Sequence, residues 1–238
     1  ATQSAAPMTI DDNPLIVAEP IAAAVTAATT PRSSSVGGEK PFTAVDQWGT
    51  VWALVLLCSA IEANAAMLPS LWAVSEKNDD DTSASIRDDL GLTMTDFGLL
   101  TSYVSIAPRA VMMYVAGRVA GRVRRKKILV MVAGVLQMLA MGTFLTARGF
   151  WQLAVAMVLI NISLGIDLPT NAILVGDLFP DPTTLAVPIA CVTSSIYVGS
   201  ALGTIAEPLA QSLGWRGAVA CFGLFSSAAI LNASLLVS

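Results

Sequence analysis

The sequence has no histidine, and only 13% of its residues are charged. A soluble domain carries about 25% charged residues, so this chain has too few to coat a globule. Without histidine there can be no His-ligated haem, zinc or non-haem iron site. Ser-His-Asp and Cys-His nucleophile systems and an imidazole general base are excluded too. Cysteine is also scarce. Cys58, Cys191 and Cys221 are odd in number, lie in apolar runs and lack metal-ligand spacing, so they read as small buried apolar residues. Neither an enzyme nor a metal or cofactor site is expected. Bound lipid or pigment cannot be read from a sequence of this kind.

What the chain has in abundance is apolar length, with 55% hydrophobic residues. From Trp48 onward, long apolar stretches alternate with short polar ones. A bilayer core of roughly 30 Å needs about 20 helical residues. Six segments meet that length, at about 48–74, 97–119, 128–147, 150–175, 185–206 and 217–237. They are continuously apolar and about twice a barrel strand's length, which argues against a spanning sheet. The expected fold class is all-α, an integral membrane bundle of six transmembrane helices. Residues 1–45, rich in Ala, Ser, Thr and Pro, read as a polar, extended N-terminal tail that cannot fold alone. Residues 46–238 form the transmembrane domain.

Orientation follows from the cations. Arg118, Arg122, Arg124, Arg125, Lys126 and Lys127 crowd the connection between the second and third segments. With six spans this connection shares a face with both termini, and the positive-inside rule places that face toward cytosol, matrix or stroma. The opposite face carries the acidic run Glu76, Asp79, Asp80, Asp81, Asp88 and Asp89. A chain starting at Ala1 fits a processed organellar protein, so a mitochondrial inner or thylakoid membrane is the expected setting.

A charge at mid-bilayer costs at least about 2.5–3.5 kcal/mol, which makes every intramembrane charge a site candidate. Glu62 reads either as a proton- or cation-binding carboxylate or as the structural partner of Arg109. Asp167 reads either as facing a polar cavity with Asn161, Ser163 and Asn171 or as a helix–helix hydrogen-bonding group. Ser195, Gly199 and Gly203 form a small-xxx-small stripe suited to close helix packing. The tryptophans near segment ends, Trp48, Trp52, Trp72, Trp151 and Trp215, fit interfacial anchoring.

The basic connection reads GRVAGRVRRKKIL, Gly117 to Leu129. It resembles the signature between helices two and three of the major facilitator superfamily, G-x-L-a-D-R-x-G-R-K. Gly117, Ala120, Arg122, Arg125 and Lys126 match, and Val119 stands in for Leu. Gly121 departs where the family has Asp, and Arg124 where it has Gly. DLGLTMTDFGLL, Asp89 to Leu100, is similar to the start of helix two in Spinster-like and related organic-anion carriers. GDLFP, Gly176 to Pro180, resembles the end of helix four there, with Pro169 eight residues before Asp177. Gly199 and Gly203, then Trp215-Arg216, complete the series. The resemblance covers Trp48 to Val237 and implies the N-terminal six-helix half of that fold, built of 3+3 inverted repeats.

The departures carry their own implication. In the family the loop's Asp pairs with basic groups and helps to lock the outward-facing state, which Gly121 cannot do. The helix-one Asp-Arg pair of Spinster-like carriers is missing from AIEANAAMLP, and the helix-four Arg from MVLINISLGIDLPTN. The expectation is therefore a half-size, transport-derived protein serving as an accessory or structural subunit of a larger organellar membrane complex, with transport degraded or lost. The alternative is one half of, or a dimerising half-size, ion-coupled secondary transporter of an amphipathic organic solute or lipid. Such carriers bind substrate between two halves, so the expected partners are a second six-helix half or other membrane subunits, together with membrane lipids. A longer parent chain carrying twelve spans would undo the half-size expectation. Nucleic acid is not an expected partner, since the six-cation cluster abuts a helix end where anionic lipid is the fitting counterpart.

Overall fold

The computed structural model describes residues 44–73, 86–123 and 125–236. The expected tail lies outside the described residues up to position 43, as do Arg124 and most of the acidic connection after the first span. Ala44 and Val45 already belong to the first helix. Among the described residues all regular structure is helical: α1 (Ala44–Ala73), α2 (Ile86–Leu90), α3 (Met94–Thr101), α4 (Tyr103–Ala120), α5 (Lys127–Leu145), α6 (Phe150–Leu178), α7 (Pro182–Gly203) and α8 (Ala206–Leu236). Six spans among them are long and apolar enough to cross a membrane, α3 and α4 together forming the second. In hydrocarbon each backbone N–H and C=O must be paired within the segment, and a continuous apolar run does that as a helix.

Polar residues set the ends and breaks. Gly91, at φ 61°, turns the chain out of α2. Thr93 then starts α3 with a capping box: its hydroxyl accepts from the Asp96 N–H, and Asp96 accepts from the Thr93 N–H at 2.8 Å. The second span is not continuous. It breaks at Ser102 (φ −99°, ψ −86°), where the Thr101 hydroxyl donates to the Phe97 carbonyl and the Ser105 hydroxyl to that of Leu100. Such hydroxyls compete with the helical ladder and pair the carbonyls it leaves. Asp181 caps α7, with Pro182 at its first position. The fifth span, α7, ends at Gly203, short of the expected 206. The next begins at Ala206, well before 217, because Glu207-Pro208 opens a helical lead-in that kinks at Gly214 (φ 73°).

The packing has an internal two-fold pattern. Span one packs on spans five, six and four; span four packs on spans two, three and one and more lightly on span five; spans three and six touch each other. Apart from the light contact of spans four and five, exchanging each span for the one three places on maps these contacts onto themselves, as inverted three-helix repeats require. Spans one and four form the centre, with 72% and 67% of their apolar windows buried, against 11% for span two. The core between them is apolar, with Leu54, Leu57, Ile61 and Leu68 of α1 and Leu153, Ile160 and Leu164 of α6 fully buried.

Two expectations about side chains change here. Cys58 is buried, but Cys191 and Cys221 are only half-buried on outer helices. Trp72 and Trp215 are buried, stacking on Phe97 at 4.6 Å and meeting Phe144 edge-on at 6.4 Å, so they pack helices together instead of anchoring at an interface. Trp52 and Trp151 are exposed.

Candidate functional site

The middle of the bundle holds two carboxylates, one on each central helix. Glu62 projects from α1 and accepts a hydrogen bond from the Arg109 guanidinium of α4 at 2.9 Å. The Glu62 side chain is 6% exposed and that of Arg109 32%, so the acid is sealed and the cation reaches the outer surface of the bundle. Arg109 is long enough to run its apolar stem along the helix while its head pairs.

Close backbone approach positions this pair. A Cβ on Gly199 of α7 would meet the Ser59 carbonyl oxygen at 2.5 Å and Glu62 Cβ at 2.7 Å. One on Gly203 would meet Ala66 Cβ at 2.6 Å. Ser195 continues the same contact by accepting, through its carbonyl, the Ser59 hydroxyl at 3.2 Å. The small-residue stripe of α7 thus lies against α1 beside Glu62. On the other side Gly165 of α6 lets α4 approach, since a Cβ there would lie 2.8 Å from the Arg109 carbonyl oxygen. Gly165 escaped the sequence reading because no second small residue stands four positions away to make a stripe.

Asp167 of α6 is solved differently. It is fully buried, and its Oδ2 accepts from the Asn171 amide at 2.8 Å, one turn along the same helix. Its Oδ1 and the Asn171 Oδ1 have no hydrogen-bond partner. Cys58 and Glu62, one turn apart on α1, face it across the central helix pair. The structure does not bring Asn161 or Ser163 into this group. Asn161 donates to the Met157 carbonyl of its own helix, and the Ser163 hydroxyl donates to the Ala133 carbonyl of α5 at 2.8 Å.

Uncharged polar residues add to the set. Asn64 of α1 donates to the Ser226 hydroxyl of α8 at 2.6 Å, and Gln137 of α5 is fully buried with neither amide atom partnered. A survey of charges alone passes over both, although an amide inside an apolar run is a comparable signal. Among the described residues no three of Cys, Asp and Glu stand together as a metal-ligand group.

The loop residues meet the end of α6. Lys126 pairs with Asp177, and Gly117 lies against Pro169, 3.9 Å from where its Cβ would be. Arg122 and Arg125 are exposed. Gly121 caps α4 in ordinary right-handed geometry, and a Cβ there would meet nothing nearer than 3.7 Å. An acid would fit at that position, so its absence is a chemical departure that packing does not impose. At the other membrane end Asp89 accepts from Trp215 Nε1 and from Arg216, each at 3.1 Å. Arg216 also donates to the Leu145 and Ala147 carbonyls at the end of α5.

A family model described as Major Facilitator Superfamily matches residues 53–238. Among curated proteins, none matches the chain.

Proposed function

Because this chain belongs to the major facilitator superfamily, a family of transporters and not of enzymes, we propose that it keeps a carrier's six-helix bundle while serving as a structural subunit of a larger organellar membrane assembly, with transport degraded. The observation that carries this reading is the Glu62–Arg109 ion pair. The carboxylate best placed to move a proton or cation is held at 2.9 Å by a guanidinium and shut from solvent. Removing one partner of a buried pair costs about 3–5 kcal/mol, which favours a fixed pair over a group that exchanges partners. Gly121 supports the same reading, since it leaves the loop without the acid that gates the family's carriers. Within the superfamily we place the chain beside the Spinster-like and organic-anion branch, on Asp89–Leu100 and Gly176–Pro180. The basic connection around Arg122 and Lys126 supports a topology with both termini on the matrix, stroma or cytosol side. Exposed apolar residues on the outer helices, Ile106 and Tyr114 on α4 and Tyr197 and Val198 on α7, supply surface for neighbouring subunits or a second six-helix half.

A second reading rests on Asp167. Its Oδ1 and that of Asn171 are buried acceptors without a donor, the arrangement that an ion-coupled carrier of an amphipathic solute needs. One experiment separates the two. The protein is isolated from its native membrane in mild detergent, and its mass and composition are determined. It is then reconstituted alone into vesicles and assayed for proton-coupled flux of organic anions. A fixed stoichiometric assembly with no flux is the expected result. Flux by the protein alone that Glu62→Gln or Asp167→Asn abolishes would overturn the structural reading.

A further inference from the structure

We infer that the outward face of α5 is a binding site for an anionic glycerophospholipid, its headgroup held by Arg125 and Lys127 and an acyl chain lying along Ile128, Met131, Val132 and Val135. These residues line a shallow, open surface groove of about 540 Å³. The groove itself is almost wholly apolar, and cations flank it at one end only. Its two cations stand together at the start of the helix, and below them the lining is apolar. Ile128 and Val135 are each 54% exposed, so no other part of the described chain covers the strip.

The depth fits a lipid. Helix α5 has 19 residues, about 28 Å at 1.5 Å per residue, which matches a bilayer core of roughly 30 Å. Lys127 therefore lies at headgroup level. The strip from Ile128 to Val135 descends about 10 Å, inside one leaflet. No residue lining the groove is acidic. Asp177, at the end of α6, is engaged by Lys126. Among the described residues neither Arg125 nor Lys127 is in an ion pair, and the start of α5 adds the positive end of a helix dipole. A phosphate carried on a hydrocarbon chain satisfies both parts of the groove at once. A neutral lipid satisfies only the lower part, and a soluble anion only the upper.

The test is native mass spectrometry of the full chain in detergent, titrated with phosphatidylglycerol or with phosphatidylcholine of the same acyl chains. Phosphatidylglycerol is expected to be retained preferentially. The double variant Arg125→Gln/Lys127→Gln should weaken its binding roughly 30-fold, taking about 1 kcal/mol for each cation, and leave phosphatidylcholine unchanged. Val135→Trp fills the groove from an exposed position with both charges intact and should also lower retention. Arg148→Gln, at the opposite membrane face, should not. Equal retention of the two lipids overturns the inference, as does an equal loss in Arg148→Gln. Loss in the charge variant with none in Val135→Trp also overturns it, because the loop would then be attracting headgroups without a groove.

Discussion

Glu62 and Asp167 stand on the two central helices, related by the internal two-fold pattern of the packing, and each faces the cost of a carboxylate inside a membrane. The α1 site answers with a charge. Arg109 reaches in from α4 and pairs at 2.9 Å, and Gly199 and Gly165 let α7 and α6 close around it. The α6 site answers with an amide. Asn171, on the same helix, supplies one hydrogen bond and leaves an oxygen of each side chain unpartnered. One carboxylate is therefore paired with a charge from another helix, while the other takes its amide hydrogen bond from its own helix and meets only the Cys58 thiol across the central pair. Corresponding helices of a repeated architecture thus carry a charged pair at one place and a weakly satisfied acid at the other.

The comparison breaks most readily at Arg109. Arg109→Leu should destabilise the full chain in detergent by about 3 kcal/mol, the low end of the range for an orphaned buried partner because the arginine is one-third exposed. Thermal or denaturant unfolding measures it. Adding Glu62→Gln should recover part of the loss, since the double variant buries no unpaired charge. A cost under about 1 kcal/mol for Arg109→Leu would mean that the pair is no joint, and the two sites would be alike after all.

Gly199→Ala sharpens the same contrast from the packing side. The new methyl would sit 2.5 Å from a backbone oxygen of α1, which neither helix can yield cheaply. A loss of about 1–3 kcal/mol is expected. Gly121→Ala, with nothing nearer than 3.7 Å, should stay within about 0.5 kcal/mol. If the two glycine variants behave alike, the close approach of α7 to Glu62 contributes nothing to the joint.

Asp167→Asn should have the opposite sign from Arg109→Leu. The isosteric amide removes a buried ionisable group and can donate toward the Asn171 oxygen, so stability should change by about 1 kcal/mol or less, in the favourable direction. Marked destabilisation would show that Asp167 has a partner across the helix pair and is itself a joint.

Sequence reading reached the architecture because membrane helices write themselves in long apolar runs, and it reached the charged residues because they interrupt those runs. It could not choose between the two roles of Glu62, since that depends on whether Arg109 arrives at the same depth from another helix. Asn161 shows the limit of spacing. It is a polar residue near Asp167 in sequence, yet it turns to the carbonyl one turn back on its own helix. The break at Ser102 and the lead-in before Gly214 were hidden for a related reason. The first is made by hydroxyls inside a stretch whose apolar composition reads as continuous, and the second is a helical turn series in which Glu207, Pro208 and Gln211 read as a polar connection. The meeting of Lys126 with Asp177, and of Asp89 with Trp215 and Arg216, joins motifs far apart in sequence, which no spacing rule within one motif reports.

A third carboxylate, outside the spans, gives the smallest and cleanest contrast. Asp181 caps α7 in full contact with water, accepting from the Thr183 N–H at 3.0 Å and from its hydroxyl. The backbone donor, then the hydroxyl, hold its pKa below the ordinary carboxylate value. A group whose pKa is lowered on folding contributes stability that is fully present above its unfolded value, near 3.9. That contribution disappears as pH falls through the lower, folded value. Wild type should therefore lose a small increment of melting temperature below about pH 4 that Asp181→Asn does not lose, with the two curves parallel at neutral pH. The variant keeps a capping oxygen but has no charge to titrate. Parallel curves across the whole range would mean that the cap acts through its geometry alone.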